Sequence, residues 1–192
     1  MSLKELRDTK VVGVDDGRFR KSGKEAKREE KTILVAVLFK GRSIEDVRIS
    51  NVTIDGLDST QSIYTMLADL EFDFLLLSGA TFAGFNVVDA YALNKTLRKP
   101  VIIVIGEMPK DQAVREALRK HFRDWERRWS LMESLKPIFE ARTDPRYNPI
   151  YYEVVGLDPE DALKLLKAYA FQGRLPEPVR MAGMIAKGLT SL

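Results

Sequence analysis

The residues best able to do chemistry in this chain are aspartates at the ends of apolar runs. Lys10 to Asp15 reads KVVGVD and leads into Asp15-Asp16-Gly17. Two carboxylates at the carboxyl end of a strand suit Mg²⁺, because hard cations take oxygen ligands. The plainer alternative is that Asp16-Gly17 only makes a turn. A second acidic group lies in VTIDGLDST (52–60), where Asp55 and Asp58 stand between a strand end and a helix start. Asp58 there can equally cap the helix. Ser78-Gly79 closes a third apolar run, FLLL (74–77), and Gly84 allows tight backbone geometry just beyond it. These glycines can also serve the turn alone. Ser78 makes a poor nucleophile: LLSGA lacks the G-x-S-x-G elbow, and the one histidine, His121, lies elsewhere.

The elements that must position these groups follow from periodicity. TILVAVLF (32–39) reads as a buried strand, and Lys40-Gly41-Arg42 as its turn. Ile44, Val47, Ile49, Val52 and Ile54 then alternate, with one break near Asp46 that predicts a bulge. With the first strand these make an antiparallel meander. Ile63, Met66, Leu67 and Leu70 mark a helix. FLLL is short and continuous, as a strand buried on both faces should be. Asn86 is placed to N-cap a helix through Val87, Ala90, Tyr91 and Leu93, and VIIVI (101–105) is the next strand. Strand, glycine loop, helix, strand is a βαβ unit, whose ligands gather at strand carboxyl ends, here Ser78 to Phe85. Further on, EARTDPRYN (140–148) reads as a polar connector and IYYEVV (150–155) as an edge strand. Asp158 N-caps a helix with Pro159 at its first position, and a last helix runs from Val179 to about Leu189.

Three strands, then helix, strand, helix, strand is the order of the ribonuclease H-like fold: an α/β mixed sheet flanked by helices. In that fold, carboxylates from different strand ends do the chemistry. Phosphodiester hydrolysis calls for a metal that activates water and neutralises the leaving oxygen. The 192 residues show no repeat and no linker, so one domain over 1–192 is expected.

Charge and composition set outer bounds. A net charge of +3 is compatible with nucleic acid without demanding it. Arg18, Arg20, Lys21, Lys24, Lys27, Arg28 and Lys31 form a basic loop interrupted by glutamates. A helical pattern from Pro109 to about Lys136, with room for one break, places Val114, Leu118, Phe122, Trp125, Trp129, Met132 and Leu135 on one stripe, with Arg119, Lys120, Arg123, Arg127 and Arg128 between them. Stacking aromatics with arginines can hold a single strand. A core face or a homodimer seam is preferred for the stripe itself. The lack of cysteine excludes disulfides and thiolate metal sites. No run approaches the roughly 20 apolar residues of a membrane span, and the N-terminus shows no signal-peptide core, so a cytoplasmic location is expected.

Five segments together resemble an archaeal uncharacterised family distantly related to endonuclease V. They are VVGVDDGRF (11–19), VTIDGLDST (52–60), SGATFAGFNVVDAYAL (78–93), KPVIIVIGEMP (99–109) and GRLPEPVRMAGMIA (173–186). The resemblance implies a ribonuclease H-like fold and Mg²⁺- or Mn²⁺-dependent nicking of deaminated DNA, including deoxyuridine-containing DNA. It matches Asp15 to the first catalytic and metal-binding Asp, and Asp58 to the catalytic Glu. Arg18, Arg20, Lys21 and Arg180 become the nucleic-acid contacts. Asp16, Asp55, Ser78, Gly79, Phe85, Asn86, Asp89 and Gly183 line the site. The nuclease pattern has Asp-Gly where this chain has Ser78-Gly79, and Ala-His where it has Ala182-Gly183. A hydroxyl ligates Mg²⁺ poorly, and a glycine cannot move a proton. The expectation is therefore a weakly held ion and slow or absent cleavage, with a catalytically inactive nucleic-acid-binding relative as the alternative.

Overall fold

The computed structural model describes residues 8–19 and 30–191. Arg20, Lys21, Lys24, Lys27 and Arg28 lie outside the described residues.

The meander forms as its apolar alternation requires. β1 (Lys10–Asp16) pairs antiparallel with β2 (Lys31–Lys40), and β2 pairs antiparallel with β3 (Ser43–Thr53). The register shifts between Leu38 and Phe39, which face Asp46 and Ile44, so the bulge falls where the period breaks. α1 (Ser59–Leu67) follows and returns the chain to β4 (Phe74–Leu77), which pairs parallel with β1. The two-residue strands β5 (Thr81–Phe82) and β6 (Asn86–Val87) make a small hairpin of their own. α2 (Ala90–Leu97) then crosses to β7 (Val101–Ile105), parallel to β4. α3 (Asp111–His121) and α4 (Trp125–Glu133) lead to β8 (Phe139–Ala141) and β9 (Ile150–Val155). α5 (Pro159–Tyr169) and α6 (Glu177–Leu189) end the described chain.

The large sheet has the order β3-β2-β1-β4-β7-β9-β8, which puts β4 fourth of seven. Its two faces are covered by different helices. Val12, Val14, Leu75, Leu77 and Ile103 pack with Ile63, Leu67, Ala90 and Leu93 of α1 and α2. Val11, Leu76, Ile102 and Val104 pack with Leu165, Leu166, Val179, Ala182 and Ala186 of α5 and α6. This is the expected α/β mixed sheet flanked by helices.

Two local expectations are corrected, and a third is borne out. Asn86 does not cap a helix: it lies in β6, and Asp89 caps α2 by accepting the Ala92 N–H at 2.9 Å. A strand residue is favoured at 86 because its buried amide has partners across the molecule. β9 is not the sheet edge, because β8 pairs outside it, overlapping the start of the stretch read as a polar connector. The long helical pattern has the one break its sequence allowed, at Phe122, where the backbone turns extended (φ −128, ψ 132), giving α3 and α4.

Candidate functional site

Side chains alternate along β1, and Val12 and Val14 face α1 and α2. The same period sends Asp15 and Asp16 to opposite faces. Asp15 goes toward α6, with Val11 and Gly13. At Gly13 the helix comes so close that an added Cβ would lie 2.1 Å from the Pro178 carbonyl carbon. At Gly183 an added Cβ would lie 2.1 Å from Oδ2 of Asp15. These two glycines let α6 lie directly across the end of β1.

Around Asp15 the partners are specific. The Ser78 hydroxyl donates to Oδ1 in a short hydrogen bond, and the backbone N–H of Asp16 donates to the same oxygen at 2.9 Å. Lys187 of α6 places its ammonium 3.3 Å from Oδ2. The side chain of Asp15 is 13% exposed and that of Lys187 53%, so the pair opens to solvent on the lysine side. A cleft of about 370 Å³ is lined by Asp15, Ser78, Gly106, Arg180, Gly183 and Lys187, among others. Arg180 is held at its wall by Glu177, whose carboxylate takes Nε at 2.8 Å and Nη2 at 2.6 Å. Glu177 is itself buried, so the bidentate pair fixes the guanidinium's place.

Across the sheet end, the other carboxylates hold the β5–β6 hairpin. Oδ2 of Asp16 accepts the Ala83 N–H at 2.5 Å. Burial pushes the Asp16 carboxyl up to about 6, with Asp15 adding to the rise and the Ala83 N–H opposing it. Asp55 accepts the Phe85 N–H at 2.9 Å and donates its own N–H to the Ala83 carbonyl at 2.8 Å. Asp58 accepts from the Thr53 hydroxyl at 2.7 Å and from Nδ2 of Asn86 at 2.5 Å. Burial works against the Asp58 carboxylate, but the Thr53 and Asn86 hydrogen bonds outweigh it and hold its pKa below the ordinary value. Asn86 also accepts the Ser59 N–H at 3.0 Å. Asp58 precedes α1 yet makes no side-chain cap bond to it.

The structure therefore joins Asp15 with Ser78 and Gly183, and joins Asp16, Asp55, Phe85, Asn86 and Asp58 through the hairpin. Asp15 and Asp58 each have separate partners. Among the described residues no group of three or more Asp, Glu, His or Cys is placed to hold a metal ion. The groups bonded to the Asp15 oxygens are a hydroxyl, an amide N–H and an ammonium, all donors, with the Asp16 carboxyl also nearby. As arranged, this set does not fit a divalent cation.

Comparison with known proteins gives the family and the fold. The family model described as Endonuclease dU matches residues 7–190. The chain belongs to the Endonuclease dU family. Its relatives include UPF0215 proteins of two archaea. One, from Thermococcus kodakarensis, is 40% identical over 185 residues, covering 94% of this chain and 91% of the relative. Another, from Pyrococcus furiosus, is 37% identical over 188 residues, covering 95% and 93%. A crystal structure of a protein of unknown function from Archaeoglobus fulgidus aligns with a TM-score of 0.80 at 27% identity, covering 95% of this chain and 98% of that one. Endonuclease V from Bacillus subtilis aligns with a TM-score of 0.65 at 14% identity, covering 100% and 84%. Endonuclease V from Ciona intestinalis, in complex with a DNA containing an inosine followed by a ribo-adenosine, gives 0.57 at 16%, covering 95% and 86%. The fold of this Endonuclease dU family member is thus that of endonuclease V.

Sequence reasoning missed Lys187. Its only signal was its place four residues after Gly183, on the same face of α6. It also misjudged Arg128, read as one of the strand-contacting arginines. Arg128 is buried, with Nη1 donating to the carbonyls of Gly56 at 2.8 Å and Phe85 at 2.5 Å, and Nε to Asp124 at 3.0 Å. It pins α4 to the loop bearing Asp55 and Asp58. The stripe tryptophans are half-buried rather than core, with Arg115 lying 5.9 Å from the Trp125 ring and 5.7 Å from the Trp129 ring. Arg18 is exposed, while its backbone N–H donates to Thr190 at 2.7 Å.

Proposed function

We propose that this Endonuclease dU family member binds nucleic acid across the Asp15 cleft and nicks deaminated DNA, slowly and with a weakly held Mg²⁺ or Mn²⁺. The observation that carries the reading is the cleft itself. A single carboxylate, Asp15, stands at the end of a central strand in a cleft also lined by two cations, Lys187 and Arg180. Two cations in one cleft with a carboxylate suit a backbone phosphate, since Arg and Lys hold phosphate oxygens while the carboxylate accepts a proton from an attacking water. Arg180, pre-set by Glu177, presents what remains of its guanidinium without having to order it on binding. Exposed Arg18 would extend the basic track from the same end of β1. Family membership and the endonuclease V fold support nuclease chemistry on this surface.

Asp15 and Asp58 are the carboxylates proposed for the ion. To share one, Asp58 would have to leave Thr53 and Asn86, and Lys187 would have to leave Asp15. Those two exchanges are the physical reason for expecting weak binding. Lys187 on Asp15 also favours the second reading, a relative that binds strands without cutting them.

One experiment separates the two. Labelled uracil- and hypoxanthine-containing duplexes are incubated with the protein and Mg²⁺ or Mn²⁺, and both binding and nicking are followed. Nicking beside the lesion that Asp15→Asn abolishes supports the enzyme. Salt-sensitive binding without nicking supports the binding relative. No binding to any DNA or RNA strand defeats both.

A further inference from the structure

Gly183 and Lys187 lie one helical turn apart on the face of α6 that meets the end of β1. A Cβ added at Gly183 would lie 2.1 Å from Oδ2 of Asp15 and 3.3 Å from Nζ of Lys187. The bare glycine therefore leaves the space in which amine and carboxylate meet. The carboxylate is oriented for that meeting. Its Oδ1 takes the Ser78 hydroxyl and the Asp16 N–H, while its Oδ2 accepts from Lys187.

The side chain of Lys187 is 53% exposed and that of Asp15 13%, so the amine reaches the open part of the cleft with the carboxylate behind it. A half-exposed ion pair adds little to stability. As chemistry the pair offers more. An amine that a carbonyl compound can reach forms an imine, and a carboxylate beside it can then remove a proton from the neighbouring carbon. Arg180, held by Glu177, lines the same cleft and suits a carbonyl that arrives beside a phosphate. In a DNA strand that carbonyl is the ring-opened sugar left where a base has been lost.

We propose that Lys187 forms an imine with the aldehyde of an abasic sugar, and that Asp15 then drives elimination of the phosphate on the far side of that sugar. This strand cleavage differs from hydrolytic nicking, and it rests on the nucleic-acid reading of the Asp15 cleft. Lys187 gives its proton to water, and Nζ adds to the C1′ aldehyde carbon. A water leaves, and the nitrogen is then a protonated imine. Oδ2 of Asp15 takes a proton from C2′, and the C–H electron pair moves into the imine. The pair returns to form the C2′–C3′ double bond as the C3′–O bond breaks. The phosphate departs on the downstream piece as a terminal monoester. Water hydrolyses the remaining imine, which frees the amine and leaves an unsaturated aldehyde on the upstream piece. Asp15 returns its proton to solvent.

The test uses the full chain in EDTA, which silences divalent-dependent nicking, with a DNA strand carrying one natural abasic site. Sodium borohydride reduces any imine to a stable amine, and peptide mass spectrometry locates it. A strand with a tetrahydrofuran at that place keeps the phosphates and lacks the aldehyde. Deoxyribose phosphate supplies aldehyde and phosphate without a strand. Strand binding is followed separately by anisotropy. The expected result is an adduct on Lys187 with the abasic strand, none with the tetrahydrofuran strand, and slower adduct formation with deoxyribose phosphate. Lys187→Arg keeps the charge beside Asp15 and should lower the adduct by about tenfold or more. Asp15→Asn should keep the adduct and slow strand cleavage by about a hundredfold, the scale of a lost general base. An adduct mapped to another amine, or one undiminished in Lys187→Arg, overturns the proposal. If strands bind while no adduct forms, the imine assignment fails and the cleft reading survives. If deoxyribose phosphate reacts at Lys187 while no strand binds, the amine stands as a site for free sugar phosphates and the cleft reading fails. Neither binding nor adduct defeats both.

Discussion

The ammonium of Lys187 stands 3.3 Å from Oδ2 of Asp15, across the junction of α6 and β1. The protein supplies its own positive charge there. Removing it should tighten divalent binding and loosen strand binding together. Lys187→Met is expected to improve Mn²⁺ affinity by up to about fivefold, the scale of a partly exposed ion pair. The same change should lower the salt slope of strand binding by about one. Calorimetric Mn²⁺ titration and salt-dependent anisotropy check the two effects. Unchanged values in both would remove Lys187 from the site.

Ser78→Asp sets two carboxylates against each other where a hydroxyl now donates to one. In chelator the variant should lose on the order of 1–3 kcal/mol, because a donor is exchanged for a like charge. Mn²⁺ should restore much of that loss, since the pair then has a cation to share. Thermal unfolding with and without Mn²⁺ tests this, and Asp15→Asn on the same background should erase the metal effect. A Ser78→Asp protein indifferent to Mn²⁺ would show that Asp15 is not an ion anchor.

Gly183 is the position that the resemblance to endonuclease V matches to a histidine, and placing that side chain there is expected to harm the protein. Even a Cβ there would lie 2.1 Å from Asp15. Gly183→Ala should cost about 1–3 kcal/mol through overpacking, and Gly183→His at least as much. Gly188, on the same helix, has nothing within 4 Å of an added Cβ. Gly188→Ala should therefore stabilise by about 0.5–1 kcal/mol. Denaturant unfolding of the two alanine variants gives opposite signs if α6 is seated as described.

Glu153 makes stability depend on pH. Its carboxyl is raised from 4.5 to about 7 in the folded state. Between those values the folded chain keeps a proton that the unfolded chain releases. Stability should then fall as pH rises from about 4.5 through 7, by about 3 kcal/mol in all, and level off above. Glu153→Gln removes this slope and should be the more stable protein at pH 8. Urea unfolding at pH 5 and 8 measures it. Parallel profiles for parent and variant would mean that Glu153 is not held protonated.

Much of the fold is legible locally. The runs KVVGV, TILVAVLF, FLLL and VIIVI mark their strands because their apolar side chains leave no polar face to solvate. The bulge near Asp46 and the Asp158 cap, which accepts the Glu160 N–H at 2.8 Å, are equally local. Asp15 and Ser78 are readable as partners once the strand order is right, because both end parallel neighbours. Other features depend on which surfaces meet. Asp15 and Asp16 read as a pair in the sequence, yet a period of two puts them on opposite faces of the sheet. Asn86 has the residue type of a helix cap, but Thr53, Asp58 and Ser59 offer its buried amide more bonds than a helix N-terminus would. Lys187 and Glu153 belong to apolar or charged patterns that say nothing of what faces them. Short-range chemistry sets where strands, turns and caps form. Tertiary packing alone decided which charges meet, because Lys187 is 172 positions from Asp15 along the chain and reaches it only when α6 crosses β1.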